Sequence, residues 1–147
     1  MQTYLGHGVR FCYPIEWTLT EEAQGSSVNI HLQTPGLAFW MLTLLPPTTD
    51  VVDVVDATVA AFEDEYEQVD RYDRSPEFDD LRTAGCDLDF VCLDLVNSAS
   101  IRAVALAENT ALVMYQGEDR ELNTFRLQFE AVTDSLCADL EPETEKP

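Results

Sequence analysis

Residues 86–116 read CDLDFVCLDLVNSASIRAVALAENTALVMYQ, and their reading decides the fold. Cys86 to Val96 is a long apolar-rich run with the composition of a strand. Asn97-Ser98 supplies turn chemistry, and Ser100 to Ala107 (SIRAVALA) forms the next run. Glu108-Asn109 is a second turn, and Thr110 to Gln116 (TALVMYQ) is the third strand. Three strands joined by short loops make an antiparallel meander.

Upstream, Ser27 to Gln33 alternates cleanly, with Val28, Ile30 and Leu32 on one side and Asn29, His31 and Gln33 on the other. Thr34-Pro35-Gly36 is a turn. Leu37 to Leu45 (LAFWMLTLL) then carries apolar residues on both faces, as a central strand covered above and below does. Gly8 to Pro14 (GVRFCYP) reads as an opening strand stopped by its proline. Arg71 to Thr83 is polar and irregular, with room for a short edge strand around Tyr72 to Asp79.

Two helices complete the set. The first is expected from Thr48 to about Asp70, N-capped by Thr49 or Thr48, with Asp50 and Asp53 at the positive end of its dipole. Val51, Val55, Val59, Phe62, Tyr66 and Val69 form one stripe along it. The second begins near Glu118, with Leu122, Phe125, Phe129, Val132 and Leu136 as its stripe. Helices on opposite faces of one sheet account for strands that are apolar on both sides. The expected class is α+β: an α/β/α sandwich around a mostly antiparallel sheet of about six to seven strands. One domain is expected over residues 1–138, followed by an acidic, disordered tail over 139–147 (DLEPETEKP).

The charge balance excludes whole classes of function. Of 147 residues, 28 are acidic and 8 basic, a net charge of −20, and the single lysine is Lys146. Nucleic-acid binding needs cations that displace phosphate counterions, and no basic stripe exists. Anionic membrane surfaces are disfavoured for the same reason. The longest apolar run, Leu37 to Leu45, is too short to span a bilayer, so no direct membrane insertion is expected. The N-terminus, MQTYLGHGVRF, lacks a basic region followed by an apolar one, which points to the cytosol. Dense acid with one lysine suits concentrated salt, where screening tames carboxylate repulsion, and it is also met in ordinary acidic bacterial proteins. Cys12, Cys86, Cys92 and Cys137 show no CxxC spacing and read as buried thiols.

The opening Gly8-Val9-Arg10-Phe11-Cys12-Tyr13-Pro14-Ile15-Glu16-Trp17 resembles a G-V/I-x-F-x-Y-P-x-x-W signature, and Ser135-Leu136 resembles the end of that family's last helix. The family is the superfamily of PsbP-like, Mog and DcrB-like proteins, and this chain resembles a bacterial or archaeal member of it from about Tyr4 to Leu136. The resemblance implies the same sandwich. It also implies a protein that binds rather than catalyses, since members dock on a membrane complex, bind a small GTPase or act as chaperones. The signature is a core-packing one and carries fold rather than function. No functional residue transfers to this chain.

Candidate residues follow from chemistry. Asp87 and Asp89 share a strand face about 7 Å apart and are the candidate divalent-cation ligands, with Asp94 on the other face by parity. His7 and His31 lie on separate segments, and His31 points outward from its strand. No GxSxG, GxGxxG or P-loop occurs, so neither an enzyme nor a cofactor is expected. Trp40, Met41 and Tyr115 are the candidate lining of an apolar groove that would receive a partner segment. The expected function is a non-enzymatic protein-interaction module, adaptor or chaperone-like. Its partner is a protein, a second copy of the chain included. The alternative is a small-molecule or divalent-cation-binding domain.

Overall fold

A computed structural model describes residues 1–73 and 82–139. The described elements are strands β1 (Gln2–Gly6), β2 (Val9–Tyr13), β3 (Thr18–Gln24), β4 (Ser27–Gln33) and β5 (Phe39–Leu45), then helix α1 (Val51–Glu65). Strands β6 (Glu67–Asp73), β7 (Thr83–Cys92), β8 (Leu95–Ala105) and β9 (Thr110–Glu118) follow, then helix α2 (Asp119–Ser135) and the short β10 (Cys137–Ala138). The main sheet has seven strands in the order β3-β4-β5-β9-β8-β7-β6, all antiparallel. A second sheet of three strands, β1-β2-β10, carries the opening signature. The result is the expected α/β/α sandwich, with β1 and β3 as strands whose polar sequences gave no alternation to read.

The two faces of the main sheet bury different cores. On one face α2 seats Leu122, Phe129 and Val132 against Trp40, Leu42, Val113 and Tyr115, and β2 adds Val9 and Phe11. Trp17 of the opening signature packs there too, its ring 5.2 Å from Phe129. On the other face α1 seats Val51, Val55, Val59 and Phe62 against Cys86, Leu88, Phe90 and Ile101. The helices are set diagonally. Helix α1 packs on β6, β7, β8 and β9, whereas α2 packs mainly on β2, β8 and β9.

Three expectations are corrected. The N-cap of α1 is Asp50, whose carboxylate accepts the Val52 and Asp53 amides at 2.8 and 3.3 Å. Thr49 is instead held in a turn, its amide donating to the Pro46 carbonyl at 3.0 Å. The helix also stops at Glu65 and not near Asp70. Gln68, at φ 57, and the irregular register between Glu67 and Asp70 turn the chain into β6, which pairs with the otherwise open edge of β7. Tyr66 and Val69 still reach the α1 core, but Val69 does so from a strand. Their helical spacing misled because both backbone paths lead to one core. The edge strand expected around Tyr72 to Asp79 therefore begins earlier, and its part beyond Asp73 lies outside the described residues, as does the tail from residue 140.

The third correction is the hairpin between β7 and β8. Its two-residue loop is Leu93-Asp94, at φ 53 and 64, closed by the Cys92–Leu95 pair. Asn97 and Ser98, the stronger turn formers, lie inside β8. Positive φ at both loop positions is the turn that suits strand twist, and it favours Asn-Gly over Leu-Asp. Leu93 is 90% exposed and so gains nothing from packing. Replacing Leu93→Asn together with Asp94→Gly should stabilise the fold by about 1–2 kcal/mol, because left-handed backbone costs an L-residue about that much. A urea titration checks it. Lower stability in the double variant would show that the leucine is held at the tip by packing.

Candidate functional site

One cross-strand row exposes how the sheet is divided. On the α2 face it runs Leu19, Leu32, Trp40, Tyr115, Ser100, Asp87, Tyr72, one residue from each strand. It is apolar from β3 to β9 and becomes polar from Ser100 of β8 onward, with α2 packed on β8 and β9 rather than on β7 or β6. On the α1 face the row Thr20, His31, Met41, Met114, Ile101, Cys86, Asp73 is apolar toward β8 and β7 and polar toward β3. Each helix thus leaves half a face open, on opposite sides.

The open half beside α2 holds a cleft of about 240 Å³. Tyr72, Asp87, Asp89, Ser98 and Ser100 of the sheet line it, with Leu122 and Arg126 of α2. Register places Asp87 between Tyr72 and Ser100, and Asp89 between Asp70 and Ser98. The Ser98 hydroxyl lies 2.8 Å from Asp89 Oδ1 and 3.0 Å from Asp119 Oδ1. A hydroxyl has one proton, so two carboxylates compete for one donor. Tyr72 has its pKa raised by desolvation, by the charges of Asp70 and Asp89, and by its hydrogen bond to Asp89. Among the described residues Arg126 reaches Asn123 Oδ1, at 3.4 Å from both Nε and Nη2. Ser100 is 3% exposed, and its Oγ finds no hydrogen-bond partner among the described residues.

The candidate residues scatter differently than the sequence implied. Asp87 and Asp89 do share a face of β7 and stand together in the cleft wall. Asp94 sits in the hairpin turn, so its strand parity has no meaning. Among the described residues no three His, Cys, Asp or Glu side chains converge to hold a metal. Trp40 and Tyr115 do pair across strands, but both are fully buried beneath α2. Trp40 Nε1 donates to Thr133 Oγ1 at 3.0 Å, and Tyr115 stacks on Phe129 at 5.0 Å. Met41 is half-buried on the opposite face. These three cannot line one groove, because adjacent strand positions point to opposite faces. His31 stacks on Phe39 at 4.8 Å on that same α1-side face, and His7 pairs with Glu21 at 2.8 Å. All four cysteines are free thiols, and burial raises the pKa of Cys86.

Sequence reasoning missed Tyr72, Ser98, Ser100 and Arg126. A signal for the serines existed: Asp87 and Asp89 alternate with Leu88 and Phe90, just as Ser98 and Ser100 alternate with Ala99 and Ile101. With the turn at Leu93-Asp94, the two polar sets fall side by side.

No family model matches the chain, and no curated protein matches it. Its fold is similar to the solution structure of cyanobacterial PsbP (CyanoP) from Synechocystis sp. PCC 6803, with a TM-score of 0.58. The likeness covers 94% of this chain and 92% of that one at 14% sequence identity. A PsbP-like fold is therefore established. Among the described residues no helix is long and apolar enough to cross a membrane.

Proposed function

We propose that this chain is a non-enzymatic protein-interaction module, adaptor or chaperone-like in kind. It receives a basic segment of its partner on the open acidic half-face beside α2. The observation that carries this reading is the row that turns from Tyr115 to Ser100, Asp87 and Tyr72 where helix cover ends. Charge complementarity supports the choice of partner: Asp87 and Asp89 line the cleft with Arg126, Asp70 pairs with Asp89 across strands, Asp119 shares the Ser98 hydroxyl, and the chain carries a net charge of −20. The cleft volume of about 240 Å³ falls below the roughly 300–1,000 Å³ of small-molecule and cofactor sites, which favours a side chain over a metabolite. The alternative, a divalent cation on Asp87 and Asp89, has less support, because among the described residues no three His, Cys, Asp or Glu side chains converge to hold a metal. A cytosolic setting, supported by four unpaired thiols, and kinship as a bacterial or archaeal member with Mog and DcrB-like proteins are parts of the same proposal.

The test is fluorescence anisotropy with a labelled lysine-rich peptide, at low and high salt. Asp87→Asn with Asp89→Asn should weaken binding about tenfold, about 1.4 kcal/mol. Neutralising two exposed acids of α1, on the other face of the sheet, Glu63→Gln with Asp64→Asn, should change it less than about twofold, because exposed charges that do not touch the peptide are screened by solvent and salt. Equal losses in the two variants would mean diffuse attraction to an acidic surface and would sink the proposal.

A further inference from the structure

We infer that the cleft between α2 and strands β6 to β8 is a socket for an alkylammonium group, presented by a lysine side chain of the partner. This rests on the binding-module reading and adds the chemistry of what enters. The acidic residues alone would carry no such claim. The independent observation is Ser100, nearly fully buried in the cleft wall with its hydroxyl unpartnered among the described residues. Buried polar groups are almost always satisfied, and one that is not marks the place of a missing partner.

The missing partner's chemistry can be worked out from its neighbours. An anion is ruled out by Asp87 and Asp89 in the wall and by Asp119 on the shared Ser98 hydroxyl. A neutral donor could serve the Ser100 lone pair but would leave the charges of Asp87 and Asp89 unopposed, beside two carboxylates that share the Ser98 proton. An ammonium brings three donors and no acceptor. One can serve the Ser100 lone pair, and the others the carboxylates of β7. The acceptors sit on separate side chains of two adjacent strands, β7 and β8. That arrangement suits a compact three-donor head. A guanidinium matches best the paired oxygens of a single carboxylate, in one plane. Arg126 lines the cleft from α2, bonded to Asn123 at 3.4 Å, and would be the group that moves aside.

The probes are Nα-acetyl-lysine methylamide, its norleucine analogue, its arginine analogue and 1,5-diaminopentane. Each is titrated into the ¹⁵N-labelled full chain and followed by backbone amide shifts. The lysine probe should move the amides of Asp87, Asp89, Ser98 and Ser100 in a saturable way, and norleucine should not. Ser100→Ala should weaken the lysine probe about tenfold, the worth of one hydrogen bond to a charged group. The same variant should keep or raise the melting temperature, since it removes an unsatisfied hydroxyl. A lowered melting temperature would assign the hydroxyl a structural role and overturn the socket. So would arginine binding as tightly as lysine, or Ser100→Ala binding unchanged. If these fail while the lysine-rich peptide still depends on Asp87 and Asp89, the module reading stands without the socket. If that dependence is also lost, both readings fall. Tighter binding of the free diamine than of the lysine probe would overturn the assignment to a protein side chain.

Discussion

Trp40→Ala should cost about 3–5 kcal/mol, the range for truncating a large aromatic in a packed core. That is a large share of the roughly 5–15 kcal/mol that holds a domain together. Trp40 is 0% exposed. Its ring lies 5.0 Å from Phe11 and pairs across strands with Leu32 and Tyr115, so three layers meet on it: the small sheet, the main sheet and α2. Truncation removes the transfer energy of the indole and leaves a cavity between elements far apart in sequence, which cannot close cheaply. The bond from Nε1 to Thr133 Oγ1 is lost as well, although Thr133 keeps its bond to the Phe129 carbonyl at 2.8 Å. Trp40→Phe should lose about 1–2 kcal/mol, mostly the hydrogen bond and part of the volume. Urea unfolding with an unchanged m-value would measure both. A loss below about 1 kcal/mol for Trp40→Ala would restore Trp40 as a surface residue available to a partner.

Phe90→Ala should cost a similar amount, about 3–5 kcal/mol, from the other side of the sheet. Phe90 is buried, with Phe62 at 5.2 Å and Tyr66 at 4.5 Å from its ring. Those two rings belong to the last turn of α1 and to the residue that caps it. The variant should therefore loosen the passage from α1 into β6 more than the rest of the chain. Hydrogen exchange would show it: protection should fall first in the C-terminal turn of α1 and in β6, while β4 and β5 keep theirs relative to global unfolding. Beyond the apolar contacts of Tyr66 and Val69, that junction has the ion pair of Arg71 with Asp56 at 3.0 Å, and such exposed pairs contribute little. Uniform loss of protection would mean that the two faces unfold as one unit and that the α1 junction has no separate stability.

These two residues also show why the sequence could be read so far and no further. Both were legible as apolar strand positions. Neither could be assigned a layer, because alternation separates the faces of a strand without saying which helix covers which face. Trp40, Met41 and Tyr115 looked like one groove because they are near in pattern, and the register sends Met41 to the face away from the other two. Asp87 and Asp89 were found because they lie two apart on one strand. Arg126 could not be found, since it belongs to the site only through the seating of α2 above β8.

Local chemistry determined a good deal of this protein by itself. The two amphipathic stripes, the meander and the doubly apolar strand from Phe39 to Leu45 together required a sheet with a helix on each side. All are short-range patterns set by the period of the backbone. The charge of −20 was legible as well, because composition needs no fold to be counted. Tertiary structure alone decided where α1 ends, where the β7–β8 hairpin turns and which half of each face stays open. Those depend on how elements pair and pack: β6 finds the free edge of β7, and the seating of the helices leaves Asp87 and Asp89 lining a cleft with Ser100 buried in its wall. A polar side chain on a strand is the same residue whether a helix lies over it or not. Only the packed molecule turned this polar stretch of β7 and β8 into a cleft.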